Sequence, residues 1–378
     1  MFIELAIAVI LADNPANTVR AGLDRESCME ARHEILNEWK AEQRPALELN
    51  LKRKYVQDGE TRMPFDVQLF GDEPEGGRSL WISLHGGGGT TSRVNDGQWR
   101  NQTRLYMPNN SVYICPRAPW DAWNMWFQDG IDKLFEEIIR TVTVIYDINP
   151  DKVYIMGYSA GGDGVWRLAP RLADHWAAAA MMAGHPGDVR LENVRNLPFT
   201  LWVGGEDLAY RRNEEVALRG LQLDSLQKSD PEGYVHQTHV LPGLPHWMER
   251  RDTAAVKWMA SFTRNAHPSK VVWTQEEVLR KTFYWIEVPE DELKRGKTVI
   301  AETDGSTIRI SRCDYSSITI YLDDDMMDLD RDVTVEFNGK KMVFRPERKA
   351  ETLRSTLEER GDPQFMFPAS IHIDNMTQ

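Results

Sequence analysis

The chain is poor in cysteine and in basic charge. Its 378 residues include three cysteines, Cys28, Cys115 and Cys313, which lie far apart and form no C-x-x-C pair. This number and spacing support neither a disulfide framework nor a zinc ribbon. Lysine and arginine number 45 against 58 acidic residues, a formal net charge of −13 at pH 7. Such a field repels nucleic acid and anionic membrane surfaces, so we expect neither as a partner.

The N-terminus carries an apolar run, but not one that could span a bilayer. Residues 5–12 are too few for a transmembrane helix. Residues 1–12 resemble the apolar part of a signal peptide, yet they contain Glu4, no basic start and no small-x-small cleavage site. We expect a packed terminal segment or the remnant of a trimmed leader, and a cytoplasmic location fits better than secretion.

What the sequence does contain is an alternation of short apolar runs and amphipathic segments. The strand-like runs cover residues 65–70, 79–84, 112–116, 153–156, 177–183, 199–203 and 235–241. The helix-like segments cover residues 25–40, 132–146, 213–226 and 253–262, and a further helix runs through Val165 and Leu168. Strands that alternate with helices predict a mostly parallel sheet with helices on both faces, an α/β fold.

After Pro268 the pattern changes to closely spaced strands. They are predicted at residues 282–288, 298–302, 307–312, 318–322, 333–337 and 342–344, with a helix at 347–360 and a last strand at 367–373. The dipeptide Asn338-Gly339 is a strong hairpin signal. We therefore predict three parts. They are a partly helical segment (1–55) that packs on the next part, an α/β domain (56–268), and a mainly β domain (269–378) whose role is unknown and which offers a surface for oligomerisation.

The most informative motif is Gly157-Tyr158-Ser159-Ala160-Gly161, directly after the apolar run at 153–156. A strand that enters a sharp turn and then a helix exposes a serine hydroxyl, provided that its neighbours are small. Ser159 is therefore the candidate nucleophile. The alternative is a serine in a glycine-rich loop that binds phosphate.

A serine nucleophile needs donors that hold the oxyanion formed in the reaction. The strand at 79–84 leads into His85 and four glycines, residues 86–89, where backbone N–H groups are accessible. We assign Gly87 and Gly88 as donors, together with the N–H of Ala160. The alternative interpretation of the glycines is a flexible turn.

An acid and a base follow in chain order. The strand at 199–203 leads into Gly204-Gly205-Glu206-Asp207, and carboxylates after a strand's C-terminal end are typical functional groups of α/β sheets. Asp207 is the candidate acid, with Glu206 as the alternative.

His246, after a proline- and glycine-containing turn, is the candidate base. His236 and His239 fall within a predicted strand, and His185 ends another. The order Ser159, Asp207, His246 matches a known triad order.

These motifs resemble the α/β-hydrolase superfamily. The resemblance rests on residues 157–162 together with His85-Gly86-Gly87-Gly88, and it covers about residues 60 to 265. Segments 151–157 and 162–169 are most similar to esterases of the polyhydroxybutyrate depolymerase, feruloyl esterase and phospholipase/carboxylesterase group. Depolymerases of that group often carry a half-cystine near the oxyanion loop, where this chain has four glycines. The resemblance implies a serine esterase that acts through an acyl-enzyme and needs no cofactor.

Aromatic residues near the predicted site are candidates for substrate binding. Trp120, Trp123 and Trp126 follow the strand at 112–116, and Trp247 follows the candidate base. They form either an aromatic wall for an aryl, acyl or sugar group, or a packed cap. Arg117 is a candidate partner for a substrate carboxylate or a surface residue.

The acidic run at residues 323–325, with three further aspartates by residue 332, suggests a calcium loop. The required glycine at position six and glutamate at position twelve are missing, so we expect a solvated loop and no metal.

Taken together, the motifs of the sequence predict an enzyme that hydrolyses small-molecule or carbohydrate-linked esters. Two alternatives stay open, namely a peptidase or other acyl hydrolase on the same triad, and a protein that binds a glycan or a partner through its C-terminal β domain.

Overall fold

A computed structural model describes residues 22–374. An eight-stranded sheet forms its centre. In chain order its strands are β1 (Tyr55–Asp58), β2 (Thr61–Phe70), β3 (Arg78–Leu84), β4 (Ser111–Pro116), β5 (Ile148–Tyr158), β6 (Ala178–Met182), β7 (Phe199–Gly204) and β8 (His236–Leu241). Their spatial order is β1-β2-β4-β3-β5-β6-β7-β8. The six strands from β4 to β8 in that order are parallel, and β1 and β2 are added antiparallel at one edge.

Helices cover both faces of this sheet. They are α1 (Arg25–Arg53), α2 (Ser92–Gln102), α3 (Ile131–Tyr146), α4 (Ala160–Arg171), α5 (Arg212–Ser229) and α6 (Ala254–Met259). On one face, α3 and α4 pack on the side chains of Val153 and Ile155 in β5, and α5 packs on β7 and β8. Helix α1 packs against α3. On the other face, α6 and the residues around α2 pack on Tyr154 and Met156 of the same strand. The α/β prediction is therefore confirmed, because successive β5 side chains enter two separate cores.

The C-terminal region contains two further sheets and one helix. The elements are β9 (Lys270–Thr274), β10 (Thr282–Phe283), β11 (Ile286–Glu287), β12 (Thr298–Asp304), β13 (Thr307–Cys313), β14 (Ser317–Leu322), β15 (Val333–Phe337), β16 (Lys340–Phe344), α7 (Ala350–Arg360) and β17 (Ala369–Asp374). One sheet has the order β10-β11-β14-β17 and the other β16-β15-β13-β12-β9. As predicted, Asn338-Gly339 forms the β15–β16 hairpin, with φ of 50° and 72° at its two residues.

The C-terminal region packs directly on the part of the chain that forms the large sheet and its helices. Buried side chains from both regions belong to one continuous hydrophobic core. Buried ion pairs cross the contact as well. Arg264 contacts Asp362 at 2.6 Å, and Arg171 contacts Glu277 at 3.2 Å. The division at residue 269 remains a prediction, since this packing shows only that the two parts are in close contact.

Several element predictions need correction. The N-terminal helix continues to Arg53 instead of ending near residue 40. The strand predicted at 282–288 is a tight hairpin, β10–β11, and Tyr284 between the two strands has a φ of 51°. Helix α2 and strands β1 and β9 were not predicted. Residues 1–12, with their leader-like pattern, lie outside the described residues. In the described part of the chain, no helix is both long and apolar enough to cross a membrane.

Candidate active site

Ser159 lies at the sharp turn between β5 and α4, as the motif predicts. Its φ of 60° and ψ of −122° are a strained conformation for a residue with a side chain. Small neighbours permit the turn. A Cβ on Gly161 would collide with the backbone carbonyl of Leu84 at the end of β3. The turn therefore holds the serine hydroxyl, partly exposed, at the C-terminal edge of the parallel strands.

The structure brings Ser159, His246 and Asp207 into one hydrogen-bonded chain. His246 Nε2 lies 2.9 Å from Ser159 Oγ, and His246 Nδ1 lies 2.7 Å from Asp207 Oδ2. If the carboxylate accepts from Nδ1–H, Nε2 is left as the acceptor for the serine proton. Three side chains separated by up to 87 positions thus form the geometry that activates a serine.

The acid of this chain is buried, whereas the base is accessible. The side chain of Asp207 is 1% exposed and that of His246 is 42% exposed. Arg212 lies 3.7 Å from Asp207 Oδ1 and supplies a second favourable charge. Glu206, the alternative acid, is directed to solvent, and its backbone N–H donates to Leu244 O. The geometry therefore favours Asp207.

Tyr158 fixes the loop that carries His246. Its hydroxyl donates to the backbone carbonyl of His246 at 2.7 Å and accepts from the N–H of Met248 at 2.9 Å. Burial raises the pKa of this phenol, so it stays protonated as the donor that the His246 carbonyl needs. The sequence does not predict this role of Tyr158, because residues 158 and 246 come into contact only in the folded structure.

The glycine loop at residues 86–89, called the oxyanion loop below, lies beside Ser159. Gly87 has a φ of 116°, and a Cβ there would overlap Asn95 Oδ1. The N–H of Gly88 donates to Asn95 Oδ1 at 3.0 Å, and Asn95 Nδ2 donates back to Gly88 O at 3.0 Å. The assignment of Gly88 as an oxyanion donor is therefore wrong, since its N–H is already used within the protein.

Gly87 and Ala160 remain as candidate donors. Ala160 is the first residue of α4, so its N–H has no acceptor within the helix. The N-terminal end of a helix also carries a partial positive charge that favours an anion. Gly87 lines the same cavity as Ser159, and Ala160 follows Ser159 in the chain.

His85 and Trp126 anchor the start of the oxyanion loop. His85 is fully buried, its Nε2 accepts from the N–H of Ala118 at 3.1 Å, and its Nδ1 contacts Gly86 O at 2.6 Å. Burial lowers the pKa of His85 to about 4, and the nearby Arg117 acts in the same direction.

Trp126 is also fully buried, and its Nε1 donates to His85 O at 3.0 Å. Trp126 was predicted to bind substrate, which is wrong because its side chain is fully buried and does not line the cavity at Ser159.

A cavity of about 620 Å³ opens onto Ser159 and His246. Trp247, Tyr158 and Leu105 provide apolar lining, so one of the four predicted tryptophans contributes to the cavity. Trp120 packs against the core and is not in the lining. Trp123 is 71% exposed and packs beside Gly88 and Gly89, outside the cavity.

Helix α2 supplies the polar wall of the cavity, and the sequence did not predict it. Its lining residues, including two just beyond the helix, are Gln98, Asn101, Gln102, Arg104 and Leu105. The buried residues of α2 are Asn95 and Gln102, which are both polar. Hydrophobic periodicity therefore gives no signal here, although Thr91 and Ser92 are residues common at helix starts.

Other candidates from the sequence have structural partners. Arg117 is buried and contacts Asp96 at 2.9 Å and Asp121 at 2.5 Å, so it does not face a substrate. His239 stacks on Trp202 with ring centroids 3.8 Å apart, which agrees with a sheet residue. His185 does not line the cavity, and its Nδ1 accepts from the N–H of Gly187.

The prediction that the acidic run at 323–325 is a solvated loop needs correction, because one of its aspartates is buried. Asp323 is 3% exposed and pairs with Arg32, and its other oxygen accepts from the N–H of Asp325. His267 lies close to Asp323 and Asp325, a combination of residue types that can bind a metal. Because both oxygens of Asp323 already have partners, this group gives no evidence for a metal.

Comparisons with known proteins give matches to solved structures alone. No protein-family model matches the sequence, and no curated protein matches it. Solved structures do match. A thermostable esterase is 21% identical, with a TM-score of 0.42, over 56% of this chain and 62% of that one, less than two thirds of its length.

Two further matches are similar in extent. A feruloyl esterase module from Clostridium thermocellum, complexed with sinapinate, is 15% identical over 55% of this chain and 87% of its own, with a TM-score of 0.37. An acetyl xylan esterase from Aspergillus awamori is 12% identical over 54% of this chain and 97% of its own, with a TM-score of 0.39. The function proposed below rests on the geometry of the site itself.

Proposed function

We propose that the protein is a serine hydrolase that cleaves carboxylic esters through an acyl-enzyme intermediate. The observation that carries this proposal is the chain from Ser159 Oγ through His246 to Asp207, at 2.9 and 2.7 Å, with Ser159 on a strained turn beside a cavity. A serine hydroxyl does not react at neutral pH without such a base. A strained conformation at a solvent-accessible serine also fits a functional role better than a structural one.

In the acylation step, Ser159 Oγ attacks the ester carbonyl while its proton passes to His246 Nε2. Asp207, which accepts the hydrogen bond from Nδ1, stabilises the imidazolium. The N–H groups of Gly87 and Ala160 hold the negative charge on the carbonyl oxygen. His246 then gives its proton to the departing alcohol, and the acyl group stays on Ser159.

Deacylation repeats the same transfers with water as the nucleophile. His246 removes a proton from the water, the tetrahedral oxyanion forms at the same two N–H groups, and the acid leaves as Ser159 regains its proton. The partial exposure of His246 gives water a path to the base. Every proton is accounted for by these residues, so the mechanism has no step that needs a further group.

The direct test compares wild type with Ser159→Ala on chromogenic esters from acetyl to octanoyl and on a cinnamoyl ester. We expect kcat/KM to fall by roughly three or more orders of magnitude in the variant, because nucleophile and base act as a unit. The acyl series then identifies the preferred acid. Equal rates in the two proteins, or no hydrolysis by either, would refute the proposal.

A matched pair of carboxyamide variants tests the choice of acid. Asp207→Asn should reduce kcat by about 10³- to 10⁴-fold, since an amide cannot stabilise the imidazolium. Glu206→Gln removes the same charge from the adjacent, exposed residue and should change kcat by less than about twofold. The reverse pattern would assign the role to Glu206.

Amide analogues of the best ester separate an esterase from a peptidase. We expect the ester to be hydrolysed much faster, and comparable rates would favour the peptidase alternative. Binding of a glycan or a partner by the C-terminal β region, and oligomerisation through it, remain predictions.

A further inference from the structure

Three side chains in the polar wall of the catalytic cavity have no partner within the described part of the chain. Gln98, Asn101 and Arg104 line the cavity and are exposed. Within residues 22–374, their side chains make no hydrogen bond and no ion pair. The neighbouring Gln102 differs, because it is buried and its Nε2 donates to Ser83 Oγ at 2.8 Å. We call Gln98, Asn101 and Arg104 the α2 row.

The α2 row begins beside the oxyanion loop. A Cβ on Gly86 would lie 3.2 Å from Ser159 Cβ and 3.8 Å from Gln98 Oε1, so the nucleophile and the first amide of the row flank the same glycine. The N–H of Arg104 donates to Asn101 O at 3.0 Å, so the helical turn continues past the end of α2. Residues three apart on a helix are neighbours, and with a rise of about 1.5 Å per residue the row is about 9 Å long.

The far end of the row is closed by the loop that carries His246. Leu105 is the last residue of this segment in the cavity lining, and Arg250 of that loop donates to Leu105 O at 2.9 Å. The next residue, Tyr106, is buried and its hydroxyl donates to Asp252. A ligand beside the α2 row is therefore limited to about one ring with its substituents.

This placement assigns the row to the alcohol half of an ester. In the proposed mechanism His246 gives its proton to the departing alcohol, so the oxygen of that alcohol lies beside Nε2. The alcohol is then next to Trp247, the residue after the base, which is 47% exposed and lines the cavity. Since the row ends at the loop that carries both residues, the alcohol lies between an aromatic side chain and the row.

The chemistry of the row indicates the class of alcohol. Amide groups donate and accept hydrogen bonds, so they suit hydroxyl groups. Among the described residues of the lining, Arg104 is the one arginine or lysine, and none is an aspartate or glutamate. A guanidinium binds a planar carboxylate through two parallel N–H groups. Arg117, the candidate from the sequence for a substrate carboxylate, already contacts two aspartates, which leaves this role to Arg104.

We propose that the leaving alcohol is a hydroxylated carboxylic acid of the size of a sugar acid, with its hydroxyls at Gln98 and Asn101 and its carboxylate at Arg104. This inference deepens the proposed function and rests on it, because a leaving alcohol exists only if the protein cleaves esters. It makes Arg104 a residue that determines specificity. A chain of net charge −13 repels an anionic substrate at long range, so the affinity for that substrate depends on a local cation.

The test measures binding to the full-length Ser159→Ala protein, so it does not depend on hydrolysis. Glucuronate, galacturonate and mannuronate are each compared with the parent sugar by NMR titration. We expect at least one acid to bind about tenfold more tightly than its parent sugar, and Arg104→Gln should reduce this ratio to less than about twofold. The matched control is Arg100→Gln, which removes an exposed arginine of the same helix outside the cavity and should change the ratio by less than about twofold.

Three outcomes would overturn the proposal. They are equal affinity for every acid and its parent sugar, an equal loss in the Arg104 and Arg100 variants, and binding of acetate or inorganic phosphate as tight as that of the sugar acids. In the active protein, the acid that binds should inhibit hydrolysis of a chromogenic ester competitively, with an inhibition constant about tenfold higher in Arg104→Gln. Because binding is measured without the nucleophile, its failure is distinct from a failure of the esterase assignment.

Discussion

Two buried asparagines hold two different regions of the molecule in the same way. Asn95 bonds both the N–H and the C=O of Gly88 in the oxyanion loop. Asn193 bonds both the N–H and the C=O of Thr274, at 2.7 and 2.9 Å, where the C-terminal region begins. In each case one amide satisfies the two backbone groups of a single residue. The surroundings of the two asparagines differ.

Around the oxyanion loop the buried polar groups that shape it are paired. His85 uses both ring nitrogens, and Asn95 makes a third bond to Asp121 at 2.7 Å. At the junction formed by residues 274–277, Glu276 is 4% exposed and neither of its side-chain oxygens has a described hydrogen-bond partner. Burial and the neighbouring Glu277 raise the pKa of Glu276 to about 7. The buried polar groups around the oxyanion loop all have hydrogen-bond partners, and there a backbone N–H must keep its position for catalysis. At the junction formed by residues 274–277 no catalytic group has to be held, and an unpaired buried acid is tolerated.

The largest expected effect is a difference in kcat between alanine variants of the two asparagines. Asn95→Ala should lower kcat about a hundredfold, because the oxyanion loop loses its anchor and Gly87 N–H moves relative to Ser159. Asn193→Ala should leave kcat unchanged. Both variants should lose about 2 kcal/mol of unfolding free energy, since each leaves two buried backbone groups without partners. Steady-state kinetics and urea unfolding of the two variants provide the measurement.

The pair distinguishes a local role from general destabilisation. If Asn193→Ala also lost a hundredfold in kcat, the loss in Asn95→Ala would report weakened folding instead of a displaced oxyanion loop. If neither variant lost activity, the oxyanion loop would keep its catalytic position without the hydrogen bonds of Asn95.

Opposite pH dependences should distinguish the same two regions. The pKa of His85 is about 4 in the folded protein against a usual value of 6.5, so the unfolded chain binds more protons between those values. The folded protein is therefore most stable with respect to His85 at pH 7, and its free energy of unfolding falls as the pH falls. Between pH 7 and pH 5 we expect the free energy of unfolding to decrease by about 2 kcal/mol. Urea unfolding of wild type and His85→Gln should show this difference, and an NMR titration of the His85 ring in wild type serves if the variant does not fold.

Glu276 has the reverse sign. Its pKa of about 7 lies above the usual 4.5, so the folded protein holds a proton that the unfolded chain has lost. Stability from Glu276 is present below pH 4.5 and is lost as the pH rises towards 7, by about 2 kcal/mol between pH 5 and pH 7. Glu276→Gln should therefore be more stable than wild type at pH 7, and the gain should shrink at pH 5. A pH-independent difference would mean that the carboxyl is ionised throughout.

Much of the catalytic region could be predicted from the sequence, because there local patterns and tertiary structure agree. The strand, small residues and helix around Ser159 specify their own turn, and strand ends of a parallel sheet meet at one edge. That edge brings Asp207 and His246 to Ser159 without any need to know the loops. The choice between Glu206 and Asp207 required the structure, since the sequence does not show which of two adjacent loop side chains is directed towards His246.

The rest depended on polar contacts between distant segments. Asn95 and Gln102 give α2 a polar buried side, so a method based on apolar periodicity passes over the helix. Trp126 looked like a ligand-binding residue because the sequence does not show whether a loop aromatic is covered. The hydrogen bond to His85 O that explains it joins residues 41 positions apart.

The smallest expected effect concerns Tyr158, whose hydroxyl is the clamp on the base loop. Tyr158→Phe should lower kcat about tenfold with little change in KM, because His246 loses the carbonyl contact that sets its distance to Ser159. The matched control is Tyr284→Phe in the C-terminal region, where a buried hydroxyl donates to Ala173 O at 3.1 Å. Each variant removes a hydroxyl that donates to a backbone carbonyl, and Tyr158→Phe also leaves the N–H of Met248 without its acceptor. The unfolding free energy should therefore fall by about 1 kcal/mol in Tyr284→Phe and by about 2 kcal/mol in Tyr158→Phe.

The comparison of kcat values then isolates positioning from stability. Full activity in Tyr284→Phe together with reduced kcat in Tyr158→Phe would place the effect at the base loop. Equal kcat in both would mean that His246 is held by Asp207 alone, since the 2.7 Å contact at Nδ1 would suffice to orient the ring. The clamp matters because the imidazole is 42% exposed, so few packing contacts restrain it. A site whose oxyanion loop is fixed by buried pairs thus depends, on its other side, on one hydroxyl and one carboxylate.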